Sequence, residues 1–393
     1  MRRNLRNSAA LLAYACLLLA QRTAGDQAWD LAAKGDRAGA LRLLDKTVHD
    51  NPRNADARLL YGSLLSEEGR GKEALLQLTE GVRLRPNSAE AQNALGEASN
   101  RFGNPSAARR CFEKAVAIQP NFGIAQLNLG QVLLAATELK PAALHLDSAI
   151  ALLGATPDAA YARYLRAKVF VEDGDTRSAV AQLETAVTLR PDMAEAWSDL
   201  GQARKMLLDD VGALAAFEHA VQVNPSDAIA QYRLGAQYLE SDKLEPAIEY
   251  LRHASDLNPT DQSILNSLQL ALRRAGKPQE AEQVKQRLAA LLRNKDKTDQ
   301  NSLNAIQINN DGAELEKAGN VRAACEKYRQ ALSLNPDHVG IRVNYAVALL
   351  RLGQWAEGLK EMREALRRDP ENKTIKAALD DALAQAPPGV AAQ

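Results

Sequence analysis

Residues 86–120 read PNSAEAQNALGEASNRFGNPSAARRCFEKAVAIQP, a stretch with proline at both ends. Small residues stand at Gly96, Ala108 and Ala115, and the large apolar Phe112 lies between the two alanines. Small side chains let two helix axes approach closely. Proline disfavours helical angles in the residue before it, so it ends a helix. The stretch therefore predicts two short helices that pack against each other, and the second of them stops at Pro120.

The same pattern recurs along the chain with a period of 34 residues, which indicates a repeat protein. The prolines that follow this spacing form three series: Pro52, Pro86 and Pro120; Pro157, Pro191, Pro225 and Pro259; Pro336 and Pro370. The step between the first two series is three residues too long. The step between the last two spans two periods plus nine residues.

Glycine also recurs between the two halves of a unit, as at Gly69 and Gly103. Glycine readily adopts the left-handed backbone that ends many helices. In the stretch quoted above we therefore predict one helix at 89–102 and a second at 106–118, joined by a turn.

The order leucine–glycine, alanine, large apolar residue, alanine and proline over 34 residues resembles the tetratricopeptide repeat. Residues 125–130, AQLNLG, are similar to the consensus of its first helix. The resemblance covers about residues 25–385 as ten units. It implies an all-α fold, a right-handed superhelical α-solenoid of about ten helical hairpins. Residues 372–384 are apolar on one side only, as a C-terminal capping helix requires.

Repeat eight departs from the pattern, because Lys285 replaces a large apolar residue and Arg293 replaces proline. We predict its second helix at 278–293, and two interpretations of the polar residues that follow stay open: a hinge, or a bulge in a continuous superhelix. The expected organisation is a signal peptide or N-terminal anchor at 1–24, repeats one to eight at 25–293, a polar linker at 294–303, repeats nine and ten with the capping helix at 304–386, and a disordered tail at 387–393.

The N-terminus predicts export. Arg2, Arg3 and Arg6 precede an apolar run at 9–20, which is shorter than the roughly 20 residues that span a membrane. A basic start and a short apolar run are typical of a secretory signal peptide. We therefore expect an exported bacterial protein in the periplasm. The alternatives are an inner-membrane anchor formed by 9–20 and a cytoplasmic chain.

The charge balance argues against nucleic acid as a partner. The chain has 49 basic and 49 acidic residues, and removal of 1–24 takes away four arginines and leaves a net charge of 45 − 49 = −4. Proteins that bind nucleic acid usually carry a basic excess. The two cysteines after residue 24, Cys111 and Cys325, are too far apart in a solenoid for us to expect a disulfide.

No motif of catalysis, metal binding or cofactor binding occurs. The chain has no His-Glu-x-x-His, no Cys-x-x-Cys and no phosphate-binding Gly-x-x-x-x-Gly-Lys. His219 and His253 are 34 residues apart, and equivalent sites in stacked repeats are too distant to share one metal ion. We interpret them as surface residues and Trp197 as a packing residue. The expectation is a protein that is not an enzyme and has no cofactor.

The resemblance implies a concave groove lined by the first helix of each repeat, which takes an extended peptide or a partner helix. Asparagine and glutamine offer both donors and acceptors, which suits capture of a peptide backbone. The residues expected to line the groove are Asn93, Glu97, Gln126, Asn128, Gln131, Tyr161, Tyr164, Lys168, Glu195, Gln202, Tyr232, Arg233, Asn266, Asn310 and Asn344.

The hypothesis from sequence is a non-enzymatic adaptor that binds a protein or peptide and assembles an envelope complex. The alternative is a self-associating structural scaffold, a homo-oligomer without a dedicated peptide ligand. Membrane contact is expected only through an uncleaved N-terminus or through a partner.

Overall fold

A computed structural model describes residues 24–387, and over this range the chain forms twenty α-helices and no strand. It divides into two compact units, the first ending at Pro259 and the second beginning at Thr260. The predicted signal peptide lies outside the described residues except for Ala24, and so does the predicted tail after Pro387. The boundary between the units comes one repeat earlier than the predicted boundary at 293.

The first unit consists of seven helical hairpins. Its helices are α1 (Ala24–Ala33), α2 (Arg37–Asp50), α3 (Ala55–Glu67), α4 (Gly71–Leu84), α5 (Ala89–Arg101), α6 (Pro105–Ile118), α7 (Gly123–Ala135), α8 (Leu139–Leu153), α9 (Pro157–Glu172), α10 (Thr176–Leu189), α11 (Ala194–Met206), α12 (Asp210–Val223), α13 (Ala228–Glu240) and α14 (Leu244–Leu257). Odd-numbered helices are the first and even-numbered helices the second of each hairpin.

The second unit contains three more hairpins and the capping helix. Its helices are α15 (Gln262–Arg274), α16 (Pro278–Lys317), α17 (Val321–Leu334), α18 (Val339–Arg351), α19 (Trp355–Arg368) and α20 (Lys373–Gln385). Ile375, Leu379 and Ala382 of α20 are buried against the hairpin formed by α18 and α19. The predicted all-α fold of about ten hairpins with a C-terminal cap is confirmed.

Six hairpins close through a tight contact between a glycine of the first helix and a large residue of the second. A Cβ atom placed on Gly96 would lie 2.5 Å from the Phe112 ring, so only glycine lets α5 approach α6 this closely. The turns between the two helices mostly use glycine, as at Gly69 with φ +75°. The turns at Thr137 and Leu208 adopt the same left-handed backbone without glycine.

Hairpins within the first unit stack in chain order. The second helix of each hairpin packs against the first helix of the next, and neighbouring first helices also touch. One buried apolar cluster includes Phe112, Leu146 and Leu165, which belong to three successive hairpins. Because one hairpin cannot bury its apolar face alone, this stacking supplies the core.

The second helix of hairpin eight continues past its predicted end at Arg293, because α16 runs for 40 residues without interruption. Its first part is the second helix of hairpin eight, and its last part is the first helix of hairpin nine. The other second helices end close to a proline, whereas the sequence from 279 to 317 contains none. Residues 294–303, predicted as a polar linker, are therefore helical.

Candidate functional site

The residues predicted to line the groove differ widely in exposure. In the first unit, Asn93 and Gln126 are buried. The half-buried members are Asn128, Gln131, Tyr161, Tyr164, Tyr232 and Arg233, and the exposed members are Glu97, Lys168, Glu195 and Gln202. In the second unit, Asn266 and Asn310 are exposed and Asn344 is half-buried.

Many of these polar side chains bind each other across neighbouring first helices. The Asn128 amide donates to Asn93 Oδ1 at 2.9 Å and to Glu97 Oε1 at 3.0 Å. The same register, 35 residues apart, joins Arg233 to Ser198 at 2.7 Å. Side chains that bond their neighbours in this way hold adjacent hairpins together, and they are less available to a peptide backbone than the sequence suggested.

The same register recurs in the second unit, where the Asn344 amide donates to Asn309 Oδ1 at 2.9 Å. Asn344 lies eight residues after Pro336, just as Asn128 lies eight after Pro120. The bond between first helices is therefore a repeated feature of the hairpin stack in each unit.

Gln126 does not face an open groove. It is 6% exposed, and its side-chain amide donates to the carbonyl of Pro120 at 2.8 Å. Its side-chain oxygen lies 2.6 Å from His145 Nδ1. Gln126 thus fixes the loop before α7, which is a structural role that differs from the predicted one.

This loop contact is repeated, because the residue six positions after several of the repeat prolines donates to that proline's carbonyl. The donors are Arg58, Gln92, Gln126, Trp197, Gln231 and Arg342. Each contact ties the turn between two hairpins to the first helix of the next hairpin. The predicted packing role of Trp197 fits this pattern, and its ring also stacks on His219 at 4.5 Å.

Five of the predicted residues surround one cavity of about 720 Å³ in the first unit: Gln131, Tyr161, Tyr164, Lys168 and Glu195. The helices α7, α9 and α11 supply them. Apolar side chains complete the wall, among them Leu134, Leu139, Leu165 and Met193. A concave site with a mainly apolar wall and a few polar groups is the usual form of a binding pocket.

The three-residue insertion predicted from the proline spacing precedes α9, which supplies part of the cavity wall. Gly154 has φ +64° and ends α8. The next first helix, α9, begins at Pro157 itself and has 16 residues, whereas α5, α7, α11 and α13 each have 13 and start three residues after their prolines. The longer helix carries both tyrosines and Lys168 of the cavity.

Two tyrosines form an aromatic wall inside the cavity. The rings of Tyr161 and Tyr164 stack with centroids 6.1 Å apart. Lys168 Nζ lies 5.5 Å from the Tyr164 ring, and the Arg190 guanidinium carbon lies 5.9 Å from the Tyr161 ring. These distances suit cation–π attraction.

The hydroxyl groups of the two tyrosines are held by protein partners. Tyr161 OH accepts from the Gln131 amide at 3.2 Å, and Tyr164 OH donates to Asp199 Oδ2 at 3.3 Å. Burial, and then the Asp199 carboxylate, raises the pKa of Tyr164. The phenol is therefore neutral at physiological pH, and its ring is held in a fixed position.

A smaller cavity of about 190 Å³ lies beside the first and shares Lys168 and Glu172 with it. Gln202 and Arg233 of the predicted set line it, together with the apolar Val171 and Met206. Seven predicted residues therefore line adjoining cavities on the first helices α7 to α13.

The residues of this region that sequence reasoning missed include Glu172, Arg190, Met193 and Asp199. Asp199 could have been found, since it holds the same repeat position as Asn128 and Arg233. Arg190 and Met193 lie on either side of Pro191 in the loop between hairpins, where no helical periodicity indicates which way a side chain points.

Between residues 24 and 387, no group of three or more histidine, cysteine, aspartate or glutamate side chains could hold a metal ion. Over the same range, none of the helices combines the length and the apolar character that crossing a membrane requires.

Two family models, both described as tetratricopeptide repeat, match the chain. One matches residues 31–98 and 315–387, and the other matches 94–160, 164–204 and 212–262. No curated protein matches the sequence.

Several solved structures are similar in fold. PilF of Pseudomonas aeruginosa is 17% identical with a TM-score of 0.51, over 55% of this chain and 98% of that one. YrrB, described as a TPR protein with an unusual peptide-binding site, is 21% identical with a TM-score of 0.41, over 48% and 96%. MamA is 21% identical with a TM-score of 0.38, over 42% and 95%. The family matches extend through both units, and the chain belongs to the tetratricopeptide repeat family.

Proposed function

We propose that the first unit is an adaptor that binds an extended peptide segment of a partner protein in the cavity of about 720 Å³ between α7, α9 and α11. The general role follows from the family, since tetratricopeptide repeats typically serve as non-catalytic modules of protein–protein interaction. The stacked pair Tyr161 and Tyr164 is the observation that carries the specific site.

The chemistry of the wall defines the segment that would fit. Lys168 and Arg190 are balanced by Glu172 and Glu195, so the cavity has no strong preference for one sign of charge. Tyrosine rings offer a large contact area at low entropic cost, and buried aromatic residues dominate many interfaces. We therefore expect a segment with an apolar or aromatic side chain that inserts against the tyrosines.

The polar residues at the edge of the cavity would hold the backbone of the segment. Gln131 is half-buried and Gln202 is exposed, one in each cavity, and an amide side chain can both donate to and accept from a peptide group. Asn93 of α5 and Asn128 of α7 bond each other, so they are less available to a peptide. We therefore place the site on α7 to α13 and not along all the first helices of the predicted groove.

The test is peptide binding by the full chain. A peptide selected from a random display library, labelled for fluorescence anisotropy, serves as the probe. We expect the double variant Tyr161→Ala/Tyr164→Ala to raise its Kd about tenfold or more, since truncation of central aromatic anchors usually costs over 1 kcal/mol each.

The chain offers a matched control for this experiment. Tyr238 and Tyr250 also stack, with centroids 5.7 Å apart, and the Tyr238 hydroxyl donates to Glu218. This pair lines neither cavity. The variant Tyr238→Ala/Tyr250→Ala should bind the peptide as the natural chain does. Equal binding by both double variants would place the peptide elsewhere and remove the proposed site.

We also propose that the protein is exported and acts in the bacterial envelope, with periplasmic assembly of a complex as its setting. The support is the basic start at Arg2, Arg3 and Arg6 followed by the apolar run at 9–20. The test is the mass of the chain recovered from the periplasmic fraction. A mature N-terminus at Gln21 or Gly25 is expected, and recovery of the full-length mass from the cytoplasm alone would contradict export.

A further inference from the structure

The middle of α16 lies outside the packed hairpins. Every residue from 292 to 300 is exposed, whereas Ala281 near one end and Ala305 towards the other are buried. In the other junctions within each unit, the second helix of one hairpin folds back against the first helix of the next. Here those two helices are joined end to end, so they cannot cover each other.

This arrangement leaves apolar side chains on the surface of a single helix. Leu292, Leu303 and Ile306 are 41%, 63% and 43% exposed. The step of 11 residues from Leu292 to Leu303 equals about three helical turns, and Ile306 lies one turn further. The three side chains therefore share one face of α16.

The sequence along this face is nearly symmetric about residue 297. Lys295 and Asp299 lie two residues to either side of it. Leu292 and Leu303 lie five and six residues away. Leu288, which is half-buried, and Ile306 lie nine residues away on opposite sides. When such a helix meets a second copy of itself in antiparallel orientation, these apolar residues face each other and Lys295 faces Asp299.

We propose that the exposed middle of α16 is a homodimer interface, in which two copies of the chain pair antiparallel about a two-fold axis near residue 297. Leu288 packs against Ile306 of the second copy and Leu292 against Leu303 of the second copy. Lys295 pairs with Asp299 of the second copy, and the symmetry forms each of these contacts twice. Charged residues on such a helix face set the orientation and the choice of partner.

The second copy is the occupant because the face is complementary to itself. Lys295 and Asp299 lie on opposite sides of the centre, so a parallel pairing would bring lysine to lysine and aspartate to aspartate. A two-fold antiparallel pair satisfies both charges and covers the apolar residues at both ends. This interface lies in the second unit and does not depend on the peptide site proposed for the first unit.

The first test is the mass of the full chain in solution, measured by sedimentation equilibrium over a range of concentrations. We expect a reversible dimer. The variant Leu292→Glu/Leu303→Glu should be monomeric, with unchanged helical content by circular dichroism. The control Leu76→Glu/Leu144→Glu changes two leucines that are each 65% exposed in the first unit, and it should remain a dimer.

The second test exchanges the charges and does not depend on the leucine variants. Lys295→Asp alone brings aspartates together, and Asp299→Lys alone brings lysines together, so each should raise the dimer Kd about tenfold through its two symmetric contacts. The double variant Lys295→Asp/Asp299→Lys should restore the original Kd.

Three results would overturn the proposal. The natural chain could be monomeric at every concentration up to its solubility limit. The dimer could persist in Leu292→Glu/Leu303→Glu, which would place the interface elsewhere. The charge-exchanged double variant could dimerise no better than the two single variants, which would contradict the antiparallel pairing.

Discussion

Gly201 and Phe217 approach so closely that a Cβ atom on the glycine would lie 2.5 Å from two carbons of the ring. The contact joins α11 to α12 and repeats the contact between Gly96 and Phe112. We expect Gly201→Ala to destabilise the protein by about 1 kcal/mol. Overpacking costs about 1–3 kcal/mol, and alanine returns up to about 1 kcal/mol of helix propensity.

The measurement is the midpoint of urea unfolding, and Gly340→Ala is the control. Gly340 lies in the first turn of α18, and the nearest atom to an added Cβ belongs to the His338 ring at 3.3 Å. This variant should be as stable as the natural chain or slightly more so. A similar rise of the unfolding midpoint in both variants would show that the α11–α12 contact can accommodate a methyl group without strain.

Gln126→Ala should lower the free energy of unfolding by about 1 kcal/mol, because it removes the hydrogen bond between a buried amide and the Pro120 carbonyl. Gln202→Ala, at an exposed position of a first helix, should change it by less than about 0.5 kcal/mol. Thermal and urea unfolding of the two variants provide the comparison. If Gln126→Ala were as stable as Gln202→Ala, the hydrogen bond between Gln126 and the Pro120 carbonyl would not contribute to stability.

Leu208→Gly should stabilise the protein by roughly 0.5–1 kcal/mol. Leu208 has φ +64° and is 87% exposed, so its side chain adds strain and little packing. A left-handed backbone costs a bulky residue about 1 kcal/mol more than glycine. The same change at Leu76, an exposed residue inside α4, should instead lower stability by about 1 kcal/mol, since glycine is a poor helix former. Unfolding midpoints that shift in the same direction would contradict this account.

The stability of the second unit should fall at alkaline pH. Burial, and then the Glu357 carboxylate, raises the pKa of Tyr345 from 10.0 to about 12. Between these values the unfolded chain loses the proton and the folded chain keeps it, so the free energy of unfolding decreases as pH rises from about 10 to 12.

The measurement is the unfolding midpoint as a function of pH, compared between the natural chain and Tyr345→Phe. The variant lacks the ionisable hydroxyl that donates to Glu357 at 3.2 Å, so its midpoint should fall less steeply over this range. Identical slopes would show that Tyr345 does not contribute to the alkaline loss of stability.

Much of the fold could be predicted from sequence because its signals are local. The proline period, the small residues at Gly96 and Ala108 and the turn glycines each act within one hairpin. The helices predicted at 89–102 and 106–118 are observed as Ala89–Arg101 and Pro105–Ile118. The error at 294–303 has a local cause as well. A polar stretch resembles a linker, but without proline or glycine nothing in it ends a helix.

The candidate site was harder to predict because its residues are brought together by stacking. Tyr161 and Tyr164 could be placed on a helix face, yet Arg190 and Met193 come from a loop between hairpins. The hydrogen-bond partners of the polar residues could not be predicted from sequence for the same reason. That Asn128 bonds Asn93 becomes visible only when the offset of 35 residues between first helices is known.

Because the backbone of α16 is continuous, the number of residues in this helix determines the direction in which hairpin nine faces. Each residue added between its packed ends would move hairpin nine about 1.5 Å along the helix axis and turn it by about 100°. An insertion of seven residues completes nearly two turns and almost preserves the direction in which the hairpin faces, whereas the deletion of one residue swings it through more than a quarter of a circle. The exposed middle of α16 therefore sets the direction in which hairpin nine faces, and a change of one residue alters that direction more than a change of seven.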